Sequence, residues 1–160
     1  MNDYSLSSTK TQEERKRLYS EISLVQDALF RQQDFKKILD TKVSPQLGNY
    51  ISGFLQDRPL NAHAIEKIAD RLAEIKKKLD GLKIVSLTLA IEPKKSTIDK
   101  IIFFVREHIE KDIIIEINVE PNIIGGAIIV FNGLYRDYSL KTKLDEVFRT
   151  KREQILNPKH

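Results

Sequence analysis

The chain has 160 residues, with Lys+Arg at 27 against Asp+Glu at 23, a length for one ordinary domain or two small ones that excludes large barrels and long doubly wound sheets. Hydrophobic residues at 41% and charged residues at 31% form a globular balance, and the absence of cysteine removes disulfides, thiolate metal sites and a Cys nucleophile. No apolar run approaches the roughly 18 residues that span a bilayer, and the polar opening lacks the apolar stretch of a secretory signal, so the expectation is a soluble, cytoplasmic chain.

The first predicted helix opens at Thr11, where Thr-x-x-Glu with Glu14 is a capping box, and Leu18, Ile22, Val25 and Leu29 follow as one apolar stripe. Phe35, Ile38 and Leu39 mark a short second helix. Ser44-Pro45 starts a third, an N-cap followed by proline at the first helical position, with Leu47, Tyr50, Ile51, Phe54 and Leu55 on one face and Pro59 as its breaker. Asn61 caps a fourth, whose stripe is Ile65, Ile68, Ala69, Leu72, Ile75 and Leu79, with Gly81 at its end. These stripes can be buried only against each other, so residues 1–82 are expected to form a small α-helical bundle of about four helices.

From Leu82 the pattern changes to isoleucine-rich runs typical of strands. Lys83 to Ile91 alternates and ends at Glu92-Pro93. Ser96 or Thr97 is the expected cap of a helix carrying Ile98, Ile101, Ile102, Val105 and Ile109. Ile113 to Val119 is a second strand, Glu120-Pro121-Asn122 a turn, and Ile123 to Phe131 a third strand containing Gly125-Gly126. Asn132-Gly133 signals a tight turn that returns Leu134-Tyr135 antiparallel. Ser139 caps a last helix with Leu140, Leu144, Val147, Phe148 and Ile155. The fold class is therefore α+β: a helical bundle over 1–82, then a compact β-α-β-β-β-α module over 83–160.

A pI near 9.2 raises a second class of function, a small basic nucleic-acid-binding module. The basic excess, however, divides evenly between the two halves. Its short clusters, Lys76-Lys77-Lys78 and Lys151-Arg152, lie near helix ends, where cations complement the helix dipole. The arrangement speaks against nucleic acid. Enzymatic chemistry fares no better. His63, His108 and His160 show no metal-ligand spacing, Gly125-Gly126 lacks the Lys-Ser/Thr of a phosphate loop, and no acid–base pair can be nominated among scattered carboxylates. No catalytic residue, metal or cofactor is expected. On the Ile98–Ile109 helix, Phe103 falls opposite the apolar stripe and Phe104 at its flank. They are partner anchors, or the helix is buried on two sides or one Phe simply exposed; Tyr135 and Tyr138 either play a similar anchoring role or finish the core.

The stretch from Ile115 to Gly133, followed by Asp137-Tyr-Ser139-Leu-Lys-Thr-Lys143-Leu144, resembles the C-terminal region of the ATP synthase delta subunit, whose mitochondrial counterpart is the oligomycin-sensitivity-conferring protein. Asn122, Ile123, Ile124, Gly125, Gly126, Asp137, Ser139, Lys143 and Leu144 stand at the positions of that family's pattern. The resemblance covers residues 83 to about 150. The N-terminal half agrees in part and implies a shortened helical domain. The resemblance implies a non-catalytic stator part of a proton-translocating ATP synthase, one copy per complex. It would join the alpha subunits of the catalytic head to the b subunit of the peripheral stalk, at the cytoplasmic face of the membrane, with membrane association only through the complex.

Overall fold

The structure, a computed structural model, describes residues 4–31, 35–55 and 60–156, with side chains described as far as Arg152. Pro59, His160 and the side chain of Ile155 lie outside the described residues. The fold is α+β, and the chain divides into two units, Met1–Thr9 with Glu13–Leu82 and Lys10–Gln12 with Lys83–His160.

The first unit holds helices α1 (Gln12–Arg31), α2 (Phe35–Thr41), α3 (Pro45–Leu55) and α4 (Ala62–Asp80). The stripes expected from spacing are the ones buried: Leu18, Ile22, Val25 and Leu29 of α1, Leu47 and Ile51 of α3, and Ile68, Leu72, Ile75 and Leu79 of α4. Each such side chain contributes about 1.5–3 kcal/mol on removal from water, and that apolar burial is what holds short helices together. Polar contacts set the order of packing. The buried Glu21 carboxylate of α1 accepts the Ser44 N–H at 2.9 Å and Arg17 Nε–H at 3.1 Å, tying α1 to the start of α3. Lys76 Nζ of α4 donates to Gln26 Oε1 at 2.6 Å and to Ser23 Oγ at 3.2 Å, and lies over the Tyr19 ring. Asn61 caps α4 by accepting the Ala64 N–H at 2.8 Å. Gly81 follows α4 in a right-handed conformation (φ −75°), so its place there needs no left-handed backbone.

The second unit is a four-stranded sheet in the order β2-β1-β3-β4, with β1 Lys83–Leu89, β2 Ile113–Val119, β3 Ala127–Phe131 and β4 Leu134–Asp137. β1 and β2 pair in parallel (Val85 opposite Ile115), joined by helix α5 (Lys95–His108); the β1–β3 and β3–β4 pairs are antiparallel. Val85, Leu87, Ile113 and Ile115 on one sheet face pack with Ile102 and Val105 of α5. Asn132 (φ 49°) and Gly133 (φ 75°) form the two-residue hairpin turn with left-handed conformations at both positions. Lys10 and Thr11 extend the sheet beyond β2: the Ile115 N–H donates to the Lys10 carbonyl at 2.9 Å, and Lys10 Nζ meets Asp99 of α5 at 2.6 Å.

Three expectations are corrected here. α5 starts before Ser96 and Thr97: Pro93 leads into an extended Lys94, whose carbonyl accepts the Thr97 and Ile98 N–H groups, so Ser96 and Thr97 lie inside the first turn. Ile109 follows the end of α5 and is exposed rather than part of the stripe. The third strand begins at Ala127, because Pro121–Ile123 form a 3-10 turn capped by Glu120, and Ile124 to Gly126 redirect the chain before the sheet resumes.

Candidate functional site

Most of the motif residues converge at the root of helix α6 (Leu140–Leu156) in the second unit. Ile123 is buried beneath the 3-10 turn, and Asn122 donates its N–H to Glu120 Oε1 at 3.3 Å. Ile124 has φ 67° and ψ −37°, and the Gly125 N–H donates back to the Ile123 carbonyl at 2.7 Å. That geometry is a γ-turn centred on a β-branched residue, a conformation that costs about 1–3 kcal/mol. The Ile124 side chain is nevertheless exposed.

The two glycines let strand and helix root meet backbone to backbone. Gly126 has φ 79°, and a Cβ there would stand 2.2 Å from the Tyr138 carbonyl oxygen; a Cβ on Gly125 would stand 2.8 Å from Leu140 Cδ1. The close approach is sealed by two bonds of 2.8 Å, from Tyr138 N–H to the Ala127 carbonyl and from Leu140 N–H to the Gly125 carbonyl.

Asp137 and Ser139 then start the helix. Asp137 Oδ1 accepts the Ser139 N–H at 2.8 Å, and Oδ2 accepts the Thr142 hydroxyl at 2.7 Å. Ser139 Oγ accepts the Thr142 N–H at 3.3 Å, an N-cap bond to the third helical residue. The Thr142 and Ser139 bonds hold the Asp137 carboxyl below its ordinary carboxylate range. Thr142 completes this cap and was not singled out by the sequence; a hydroxyl three residues after Ser139 is its only sequence signal.

Lys143 and Leu144 lie one turn along α6, and both are exposed. Leu140, Leu144, Val147 and Phe148 are 42–65% exposed, and every described side chain of α6 beyond Thr142 is exposed, so the apolar stripe is left uncovered. Phe103 and Phe104 lie elsewhere, on the outer side of α5, where both are exposed and the Phe104 ring stacks on His108 at 4.3 Å. Tyr135 is exposed on β4, and Tyr138 is exposed beside the α6 root. In the first unit, a shallow cleft of about 300 Å³ is lined by Arg15, Lys16, Tyr19, Ser20 and Asp80. Among the described residues no cluster of three His, Asp or Glu side chains could hold a metal ion, and no helix is long and apolar enough to cross a membrane.

A junction of backbone bonds and a cap can hold one amphipathic helix in place and present its apolar side; it poises no pair of groups for bond making. The family model for the ATP synthase delta (OSCP) subunit matches residues 6–150, and the chain belongs to that family, a structural and non-catalytic part of ATP synthase. The ATP synthase subunit delta of Aquifex aeolicus (strain VF5) is 32% identical over 91 residues, which make up 56% of this chain and 50% of that protein. The chain thus matches about half the length of that relative. Among solved structures, a chain of the Toxoplasma gondii mitochondrial ATP synthase hexamer aligns with 90% of this chain and 88% of its own length, at 16% identity and a TM-score of 0.37.

Proposed function

We propose that this delta-family subunit is a connector in the peripheral stalk of a proton-translocating ATP synthase. The helical module (1–82) grips the alpha subunits of the catalytic head, and the α+β module (83–160) receives the end of the b subunit. One copy per complex resists rotor torque, and contact with the membrane, at its cytoplasmic face, comes through the complex alone. The observation that carries the reading is the exposed apolar stripe of α6 in a chain of this family, since a helix so exposed gains most by packing against a partner helix. Phe103, Phe104, Tyr135 and Tyr138 are further candidate contacts, each exposed and aromatic.

Reconstitution tests this. The chain, mixed with purified alpha and b subunits and passed over a sizing column, should co-elute with both in fixed stoichiometry. Failure to bind either subunit at micromolar concentration would count against the connector.

A further inference from the structure

We propose that the α6 stripe and Ile124 together form a docking surface selective for an acidic amphipathic helix, with Ile124 as its strained anchor. The proposal rests on the connector reading only for the premise that this module binds a partner.

The charge around the stripe identifies the occupant. At about 100° per residue, Lys143 lies along one flank of the Leu140, Leu144, Val147 and Phe148 stripe, and Lys141 and Arg152 lie along the other. Lys151 continues the stripe one turn beyond Val147; Asp145 shares the flank of Lys141 and Arg152 and Glu146 falls at the back of the helix, so the rim keeps an excess of basic groups. Lys141, Lys143, Lys151 and Arg152 are all exposed, and no ion pair among the described residues engages them. A helix whose apolar seam is flanked by Glu or Asp would meet this rim with opposite charge. A second copy of this chain would bring like charges together in either orientation, so the rim works against self-pairing as well as selecting the partner.

Ile124 adds an independent observation. Its γ-turn is strained, its side chain gains little by burial within its own unit, and a glycine would relieve the strain. The fold nevertheless presents an isoleucine immediately before Gly125, whose Cα faces the Leu140 side chain. An apolar side chain held out at that cost beside the first turn of the stripe suits a contact made only in the complex.

The test uses the full chain and three synthetic helical peptides of about 25 residues, long enough to cover α6. One has a leucine seam flanked by Glu, one the same seam flanked by Lys, and one is the Glu peptide scrambled. Binding is read by fluorescence anisotropy at low and high salt, and located by amide chemical shifts. The Glu-flanked peptide should bind at least tenfold more tightly than the Lys-flanked one at low salt, shifting α6 and Ile124 resonances, and salt should narrow the gap. The double variant Lys143→Glu with Arg152→Glu should reverse the preference. Ile124→Gly should weaken binding several-fold while its urea midpoint stays level or rises, a combination that a merely structural role for Ile124 does not produce. Equal affinity for the two charged peptides, shifts confined to α5, or an Ile124→Gly variant that binds normally would each overturn the assignment. If the b subunit binds without any charge preference, the connector stands and this surface falls. If the peptide binds as expected but neither subunit does, the surface stands and the connector falls.

Discussion

Three glycine-to-alanine substitutions in the second unit separate backbone conformation from close contact. Gly133 needs a left-handed backbone but has open space where a Cβ would go, so Gly133→Ala should cost only the conformational penalty, about 1 kcal/mol. Gly125 has no such backbone requirement and its added Cβ would meet a flexible Leu140 side chain. Gly125→Ala should therefore lie within about 1 kcal/mol of the native protein, with lost chain entropy in the unfolded state offsetting a rotamer change. Gly126 combines both problems against backbone that cannot yield: φ is 79° and the Cβ would stand 2.2 Å from the Tyr138 carbonyl oxygen. Relief requires the helix root to move away, which breaks the bonds from Tyr138 to Ala127 and from Leu140 to Gly125. At about 1 kcal/mol for each bond and 1–2 kcal/mol for the backbone, Gly126→Ala should cost about 3–4 kcal/mol. For an m-value of about 1.5 kcal/mol/M, that lowers the urea midpoint by roughly 2 M. Urea titration followed by circular dichroism, with amide exchange reporting on β3 and α6 separately, measures all three. The reasoning fails if Gly126→Ala is no more destabilising than Gly133→Ala.

The cap should be separable from the stripe: Ser139→Ala removes the acceptor for the Thr142 N–H and should destabilise by about 1 kcal/mol, with exchange protection lost first in the opening turn of α6. The Asp137 carboxyl is held below its ordinary range, so its contribution is present above about pH 4 and disappears as pH falls through its folded value; Asp137→Asn should remove that acid limb from a plot of stability against pH. Tyr4 behaves in the opposite sense. Burial, and then the Glu21 carboxylate, push its phenol up to about 12, so native stability should fall as pH rises above about 10, and Tyr4→Phe should flatten that alkaline loss in unfolding titrations. In the first unit, Ile22 is fully buried, and Ile22→Ala should cost about 3 kcal/mol in the unfolding transition of the helical bundle.

Local chemistry made the elements legible. The stripe of α1, the Ser44-Pro45 start of α3, the Asn61 cap of α4 and the Asn132-Gly133 hairpin depend on neighbours within a few residues, and their sequence signals match the elements formed. The motif from Asn122 to Leu144 was legible as a pattern but not as a place. Ile123 to Gly126 read as strand because they are apolar and precede a strand. What breaks the strand is the 3-10 turn at Pro121–Ile123 together with the approach of the Tyr138–Leu140 backbone to Gly125 and Gly126, and the second is a contact between distant residues that no local preference encodes.

The same distinction governs the surface. Sequence alone established that α6 is amphipathic, that Ser139 starts it, and that no catalytic set is apparent, because periodicity, capping and residue chemistry are local properties. Whether its apolar stripe would be buried or presented was open until the fold showed where the helix departs. Gly125 and Gly126 fix α6 by its first turn, and beyond that turn its stripe stays largely exposed. Tertiary structure likewise decided that Lys10 and Thr11 join the sheet beside β2. A short polar segment carries no strand signal of its own, and its pairing is set by the edge it meets.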